Sequence, residues 1–198
     1  TGARGTLGRV VTEAFWKSGA LILAVDRHGQ GEPRERIRRV AADLTTLEGA
    51  AQAAAAAQRI DVVLHLAGGY AGGVPTGETD PATFDHLLQL NLRSAFLLFH
   101  AVLPKMAERG HGRLIAVGSQ AASRAVAGLS AYNASKAALR ALVETVANEY
   151  REQGITANIV LPVTIDTPAK AQEIAELMLY LTSDAAANVT GAAIPIGS

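Results

Sequence analysis

The sequence predicts an α/β fold: a doubly wound, mostly parallel sheet with helices on both faces. Three observations carry this expectation. Short runs rich in Val, Ile and Leu alternate along the chain with longer stretches of helical periodicity. Those runs are near-continuously apolar, as strands covered on both faces must be. Glycine is abundant and aromatics make up only 5% of residues, which suits helices lying close on a sheet.

The elements follow in order. "TGARGTLGRV" (1–10) places Gly2, Gly5 and Gly8 at one-turn spacing and leads into a helix predicted over 7–18. "ALILAV" (20–25) is the first predicted strand, with Asp26 at its end. "RHGQGEPRERIRR" (27–39) is the most charged stretch and reads as a solvated loop. A helix is expected over 46–58, where "AAQAAAAAQ" is a run of the best helix former. "DVVLHLA" (61–67) is the next strand, followed by a long helix over 81–109. "RLIAVGS" (113–119), a helix over 130–152, "TANIVLP" (156–162) and a helix over 170–183 complete the alternation. No repeat or linker interrupts it, so residues 1–198 read as one dinucleotide-binding and catalytic domain. In this fold a glycine-rich loop follows a strand in the middle of the sheet. No strand precedes Thr1, so that strand is expected to be absent from the chain, leaving its neighbours with unpaired edges.

Composition narrows the function. Basic and acidic residues balance at 18 each, which argues against a nucleic-acid-binding face. Cysteine is absent, which excludes disulfides, thiolate chemistry and Cys-based zinc sites. The five histidines are scattered, so no metal site is expected. No signal peptide is visible, and no apolar run reaches the ~20 residues of a membrane helix. A cytoplasmic location is the expectation.

The candidate chemistry starts from the glycine loop. Its glycines let backbone approach a pyrophosphate at a helix N-terminus, and Asp26 lies at the distance where an acid meets adenosine ribose hydroxyls. Tyr132 and Lys136 are one helical turn apart, so they share a face. An ammonium beside a phenol favours the phenolate, which would suit tyrosine to acid–base work. Ser119 ends an apolar strand, where open α/β sheets carry their sites. Capping a turn is the plainer reading of Ser119. Asn91 is a polar residue on a largely apolar helix and needs buried partners. It either fixes the helix or anchors a water linked to Lys136. His65 reads as a buried, hydrogen-bonded strand residue, and Phe15 and Trp16 as core or interface. Tyr70 is a candidate wall of a substrate pocket or a surface aromatic.

In order and spacing, these features resemble the short-chain dehydrogenase/reductase family over nearly the whole chain. The shared stretches are "TGARGTLG", Asp26, "ADL" (42–44), "LAGG" (66–69), "NLRSAF" (91–96), "GS" (118–119), "YNASK" (132–136), "LPVTIDTP" (161–168) and "SDAAANVTGAAIPIGS". The resemblance implies a Rossmann-type fold, a nicotinamide cofactor and hydride transfer to or from a small carbonyl or alcohol. It assigns Tyr132 as proton donor, with Lys136 holding the nicotinamide ribose and lowering the tyrosine pKa. It gives Ser119 the substrate and completes a proton relay with Asn91. It places Gly2, Arg4, Gly5, Leu7 and Gly8 around the cofactor phosphates, Asp43 and Leu44 at the adenine, and Ala67, Gly68 and Gly69 along the ribose and nicotinamide. Pro162, Ile165 and Thr167 would meet the carboxamide and phosphates. The family's pairing of its two long helices between subunits implies a homodimer or homotetramer through 81–109 and 130–152.

Three departures matter. The middle glycine of the loop comes one residue early, Leu66 stands where the family has asparagine, and Val163 stands where it has glycine. "LAGGYAGG" and "LPVTIDTP" are similar to quinoid dihydropteridine reductase, which lacks the serine present here as Ser119. That leaves pterin reduction as the second reading, and a non-catalytic nucleotide sensor as a third from another class. Thr167-Pro168 runs almost directly into the last helix, so the family's substrate-covering segment is short or missing. Asp26 would repel a 2′-phosphate and favours NAD(H) over NADP(H); Arg4 and Arg27 pull the other way.

Overall fold

Six parallel strands form two sheets in the computed structural model, which describes residues 1–29, 31–165 and 167–197. In the first, β1 (Ile22–Asp26) pairs with β2 (Ile37–Ala41), in register from Ile22 beside Ile37 to Asp26 beside Ala41. The second has the order β3 (Val62–His65), β4 (Gly112–Val117), β5 (Ile155–Pro162), β6 (Ala193–Ile196). β1 and β3 are not hydrogen-bonded to each other, and an apolar cleft of about 950 Å³ lies along them.

Two strands differ from expectation. β2 lies partly within the segment read as a loop. Its sequence, IRRVA, carries two arginines, which a strand at the edge of a sheet tolerates and uses against edge-to-edge pairing. Arg38 Nη1 donates to Ala56 O at 2.7 Å and ties this edge to the neighbouring helix. β6 contains Pro195, which is compatible with strand structure only at an edge, and β6 is the other edge.

Among the described residues, seven α-helices surround the strands: α1 (Thr6–Lys17), α2 (Leu47–Ala55), α3 (Pro81–Leu88), α4 (Ser94–Arg109), α5 (Gln120–Arg124), α6 (Ser130–Tyr150) and α7 (Pro168–Thr182). Two of their starts show how residues cap a helix. Thr46 accepts from Gly49 N at 3.0 Å, and Asp80 accepts from Ala82 N at 2.9 Å with Pro81 in the first turn. α4 ends at Gly110, whose φ of 65° suits the left-handed closing position.

The predicted helix 81–109 is continuous but contains a π-type turn at Gln89–Arg93 between α3 and α4. Such single wide turns concentrate at functional sites, and this one carries Asn91. By length and composition, Pro81–Arg109 could cross a membrane, contrary to the expectation that no run is apolar enough. Half of its most apolar window is buried in this fold, where Leu97, Leu98, Phe99 and Val102 are all core residues. Its apolar character is therefore accounted for by packing.

The helices divide between two cores, one on each face. Leu114 and Ala116 of β4 face the core built with α2, α4 and α6, while Ile115 and Val117 face the one built with α1 and α7. β4 and β5 are buried at every position, which explains why their sequences lack polar alternation. The polar Asn158 of β5 is fully buried because its side chain donates to Val189 O at 2.8 Å and accepts from Ala192 N at 3.0 Å, fastening the approach to β6.

Candidate active site

The glycine loop leads into α1. Gly2 has φ +66°, and a β-carbon there would sit 2.8 Å from Ala67 N. A β-carbon on Gly8 would sit 2.1 Å from Gly2 O, so these two glycines are required by the fold itself. Gly5 differs: its nearest neighbour would be Gly2 O at 3.4 Å, an ordinary contact. Gly5 is also the N-cap of α1, with no side-chain cap and no acid in the first turn. The first amides of α1 are thus left to an anion from outside, and Gly5 keeps the approach open. A dinucleotide pyrophosphate fits this cradle. Asp26 ends β1 with Oδ1 accepting from His28 N at 3.3 Å, and it acts electrostatically on the Thr1 amine close by. Arg4 and Arg27 are exposed.

At the end of β4, Ser119 is buried and caps the short α5, with Ala121 N donating to its Oγ at 3.2 Å. Its side chain lies beside the half-buried Tyr132 on the first turn of α6 and acts on that phenol. The turn-capping reading of Ser119 therefore holds. One turn along α6, Lys136 is only 7% exposed and donates from Nζ to Val117 O at 2.8 Å. Burial pushes its ammonium pKa down to about 8.

The expected lowering of the Tyr132 pKa is not what this arrangement produces. Burial pushes the phenol above its ordinary value, Ser119 beside it draws it down, and Tyr70 adds a further upward push. The ammonium of Lys136 is turned to the Val117 carbonyl instead.

Asn91 is fully buried in the π-type turn. Its Oδ1 accepts from Gly69 N at 2.8 Å, and its Nδ2 donates to Gly69 O at 3.1 Å and to Ser135 Oγ at 2.9 Å. Of the two roles considered for Asn91, the side chain thus performs the positioning one: it clamps the loop after β3 to α6. Gly68 is a glycine because its β-carbon would lie 2.6 Å from Asn91 Oδ1 and 3.2 Å from Lys136 Nζ. Ser135 and the Val117 carbonyl are absent from the sequence-predicted set. A serine on the buried face of α6 was the available signal for the first, whereas a backbone acceptor leaves none.

Other predicted residues divide clearly. Leu7 and Leu44 bury their side chains in the two cores, so only their main chain can be offered to a cofactor. Asp43 is exposed and accepts from Thr45 N and Oγ1, which hold its carboxyl below the ordinary range. Pro162 is buried, Ile165 packs against the core under α7, and the Thr167 side chain caps α7 by accepting from Lys170 N at 3.3 Å. His65 is buried between Thr1 Oγ1, 3.2 Å from Nδ1, and Ser94 Oγ, 3.3 Å from Nε2, and burial lowers its pKa to about 3. It is a neutral structural residue. Phe15 is core, and Trp16 is covered by the Arg34 guanidinium at 3.4 Å from its ring centroid. Tyr70 is 69% exposed and meets the Tyr132 ring edge-on, centroids 5.1 Å apart. Among the described residues no cluster of His, Cys, Asp or Glu could hold a metal.

A glycine cradle and a Ser–Tyr–Lys set beside parallel strands are the features an oxidoreductase of the α/β class presents. Residues 1–177 match the family model described as short chain dehydrogenase, and the chain belongs to the short-chain dehydrogenase/reductase family. It is 32% identical to dehydrogenase/reductase SDR family member 6 of Aquarana catesbeiana, covering 96% of this chain and 90% of that protein. It is 31% identical to a D-threitol dehydrogenase of Mycolicibacterium smegmatis, over 99% and 89%. A solved short chain dehydrogenase/reductase from Burkholderia thailandensis superposes with a TM-score of 0.87 at 31% identity, covering 98% of this chain and 88% of that one. A 3-ketoacyl-(acyl-carrier-protein) reductase from Brucella melitensis, solved with NADH, shares the fold at 24% identity and a TM-score of 0.90, over 96% and 91%.

The burial of Lys136 makes stability depend on pH. The unfolded chain keeps that proton to about 10.5, the native chain only to about 8. Between those values the unfolded state binds more protons, so stability rises with pH; below them the cost of the buried charge is constant at ~3 kcal/mol. From pH 7 to 10.5, urea unfolding should show the wild type gaining roughly 2–3 kcal/mol relative to Lys136→Met. Parallel pH profiles for the two would contradict a buried, charged Lys136.

Proposed function

We propose that this enzyme transfers hydride between NAD(H) and a small alcohol or carbonyl compound, with Tyr132 as the general acid and base. The observation that carries this reading is the meeting of Ser119, Tyr132 and Lys136 at the end of β4. The bound nicotinamide would supply hydride to the carbonyl carbon, or take it from the alcohol carbon. In reduction, Tyr132 gives its proton to the substrate oxygen as the C–O double bond becomes single, and solvent returns the proton to the phenolate. A phenol held above its ordinary pKa remains protonated at neutral pH, the form reduction needs. Ser119, beside that phenol, would donate to the same substrate oxygen. Lys136 supplies positive charge within the site, which favours the phenolate once the proton has left.

Cofactor choice rests on Asp26 at the end of β1, whose carboxylate suits two ribose hydroxyls and opposes a 2′-phosphate. Tyr70 forms the exposed wall beside Tyr132 and would contact the substrate. The same tyrosine sits within the stretch that is similar to quinoid dihydropteridine reductase, which keeps a flat pterin as the second substrate reading. Ser119 favours the carbonyl and alcohol reading over it.

Turnover of NADH and NADPH against a panel of carbonyls and quinonoid dihydropterin tests this. Tyr132→Phe should lower kcat by about 10³-fold or more, a loss in the range of a positioned acid or base, and leave the NADH Kd little changed. Gly5→Ala should fold normally yet bind NADH more weakly. Tight NADH binding without turnover on any substrate, insensitive to Tyr132→Phe, would make the chain a nucleotide sensor instead. A preference for NADPH would overturn the role given to Asp26.

We also propose self-association through α4 and α6. Phe96 on α4 is 50% exposed and stacks on His100, an apolar patch suited to a partner helix. Light scattering at micromolar concentration should show a dimer or tetramer, and Phe96→Arg should shift it toward monomer. A monomeric wild type would contradict this.

A further inference from the structure

Two loops meet beside the acid–base set. The first follows β3 and runs from Tyr70 to Val74; the second, 126–129, leads into α6. Tyr70 is largely exposed, yet its ring meets Tyr132 edge-on, with 66° between the ring planes. Its loop carries Gly68, Gly69, Gly72 and Gly73, a run with much conformational freedom to lose. A single edge-on ring contact is too weak to order such a segment. The backbone and the neighbouring loop supply the rest.

Gly73 N donates to Gly128 O at 2.8 Å, and both glycines have positive φ, +108° and +77°. Gly72 lies against Leu129: a β-carbon on it would sit 2.2 Å from Leu129 Cδ2 and 2.9 Å from Gly128 O. Gly72 has no positive φ, so it is the contact and not the backbone angle that keeps it bare. The second loop is tied in turn to α6. Asn133 Nδ2 donates to Val126 O at 2.9 Å, and Asn133 N donates to Leu129 O at 2.7 Å. Ala125 takes φ +49°, unfavourable for a residue with a β-carbon, as the chain turns back from α5. These contacts form a closed circuit. It runs from Tyr132 through its neighbour Asn133, across 126–129 to Gly72 and Gly73, and back through Tyr70 to the Tyr132 ring.

We propose that Gly72 and Leu129 are positioning residues for the reaction: interlocked, they hold Tyr70 on the Tyr132 ring and so fix where the phenol points. This rests on the acid–base role given to Tyr132 above. The pair acts through Tyr70. A tyrosine on the first turn of a helix swings between side-chain rotamers, and a misplaced acid loses rate steeply. Tyr70 removes that freedom, and the interlock removes the freedom of Tyr70.

The test moves one methyl group across the interlock. Gly72→Ala forces the loops apart, and adding Leu129→Ala makes room for the new β-carbon. With NADH and a small aldehyde, Gly72→Ala should lower kcat about tenfold or more and leave the NADH Kd unchanged. The pair Gly72→Ala with Leu129→Ala should recover most of that loss. Tyr132 can be followed separately by NMR titration, with tyrosine labelled at the ring carbon bearing the hydroxyl. Its midpoint should fall toward the ordinary 10.0 in Gly72→Ala and return in the pair. Tyr70→Leu keeps the backbone contacts of both loops and should reproduce both effects, and combining it with Gly72→Ala should add nothing further. Wild-type kcat and titration in Tyr70→Leu would overturn the proposal, even if Gly72→Ala does not fold. So would a Gly72→Ala chain that is less stable but otherwise unchanged, or fully additive losses in the combination. The titration needs no turnover. If wild type reduces no aldehyde while the midpoint shifts and recovers as described, the proposed function fails and the positioning stands.

Discussion

The ammonium of Lys136 is the constraint around which the rest of the site is arranged. A charge that is nine-tenths buried with one protein acceptor, Val117 O, is costly. Its neighbours are correspondingly fixed. Gly68 leaves room for the Nζ, Asn91 holds that loop by both backbone groups of Gly69, and Ser135 anchors Asn91 from α6. The bond to Val117 also ties α6 to the end of β4, where Ser119 follows two residues later. The geometry of the site is thus a consequence of housing one buried cation.

A second constraint is the close approach of backbone around the glycine loop. Gly2 and Gly8 are fixed by contacts within the protein, while Gly5 faces open space at the N-terminus of α1. A position that would accept a β-carbon, yet is left bare beside unpaired amides, points outward to a ligand. Asp26 ends β1, and Ser119 follows the end of β4, so the C-terminal ends of parallel strands carry residues of both candidate sites.

Much of this was legible in the sequence. The strands at 61–67, 113–119 and 156–162 were readable because burial on both faces makes them continuous apolar runs. The Tyr132–Lys136 spacing fixed their shared face, and Ser119 lay at a strand end as expected. β2 was hidden because an edge strand can carry Arg38 and Arg39, and β6 because Pro195 is tolerated only at an edge. The π-type turn left no periodic signature, since one extra residue hardly changes the pattern of a long apolar helix. The Tyr132 pKa was misjudged for a physical reason: spacing shows that an ammonium is near, but not that it is turned to a backbone carbonyl while burial raises the phenol.

The central claim is that this buried set is an acid–base centre completed by a nicotinamide. The most direct measurement is a pH titration of Tyr132 by NMR, with tyrosine labelled at the ring carbon bearing the hydroxyl, alone and with saturating NAD⁺. The account predicts a midpoint above the ordinary tyrosine value of 10.0 for the chain alone. Binding NAD⁺, whose nicotinamide ring carries a positive charge, should move that midpoint below it. A Tyr132 resonance that titrates identically with and without NAD⁺ would contradict the assignment.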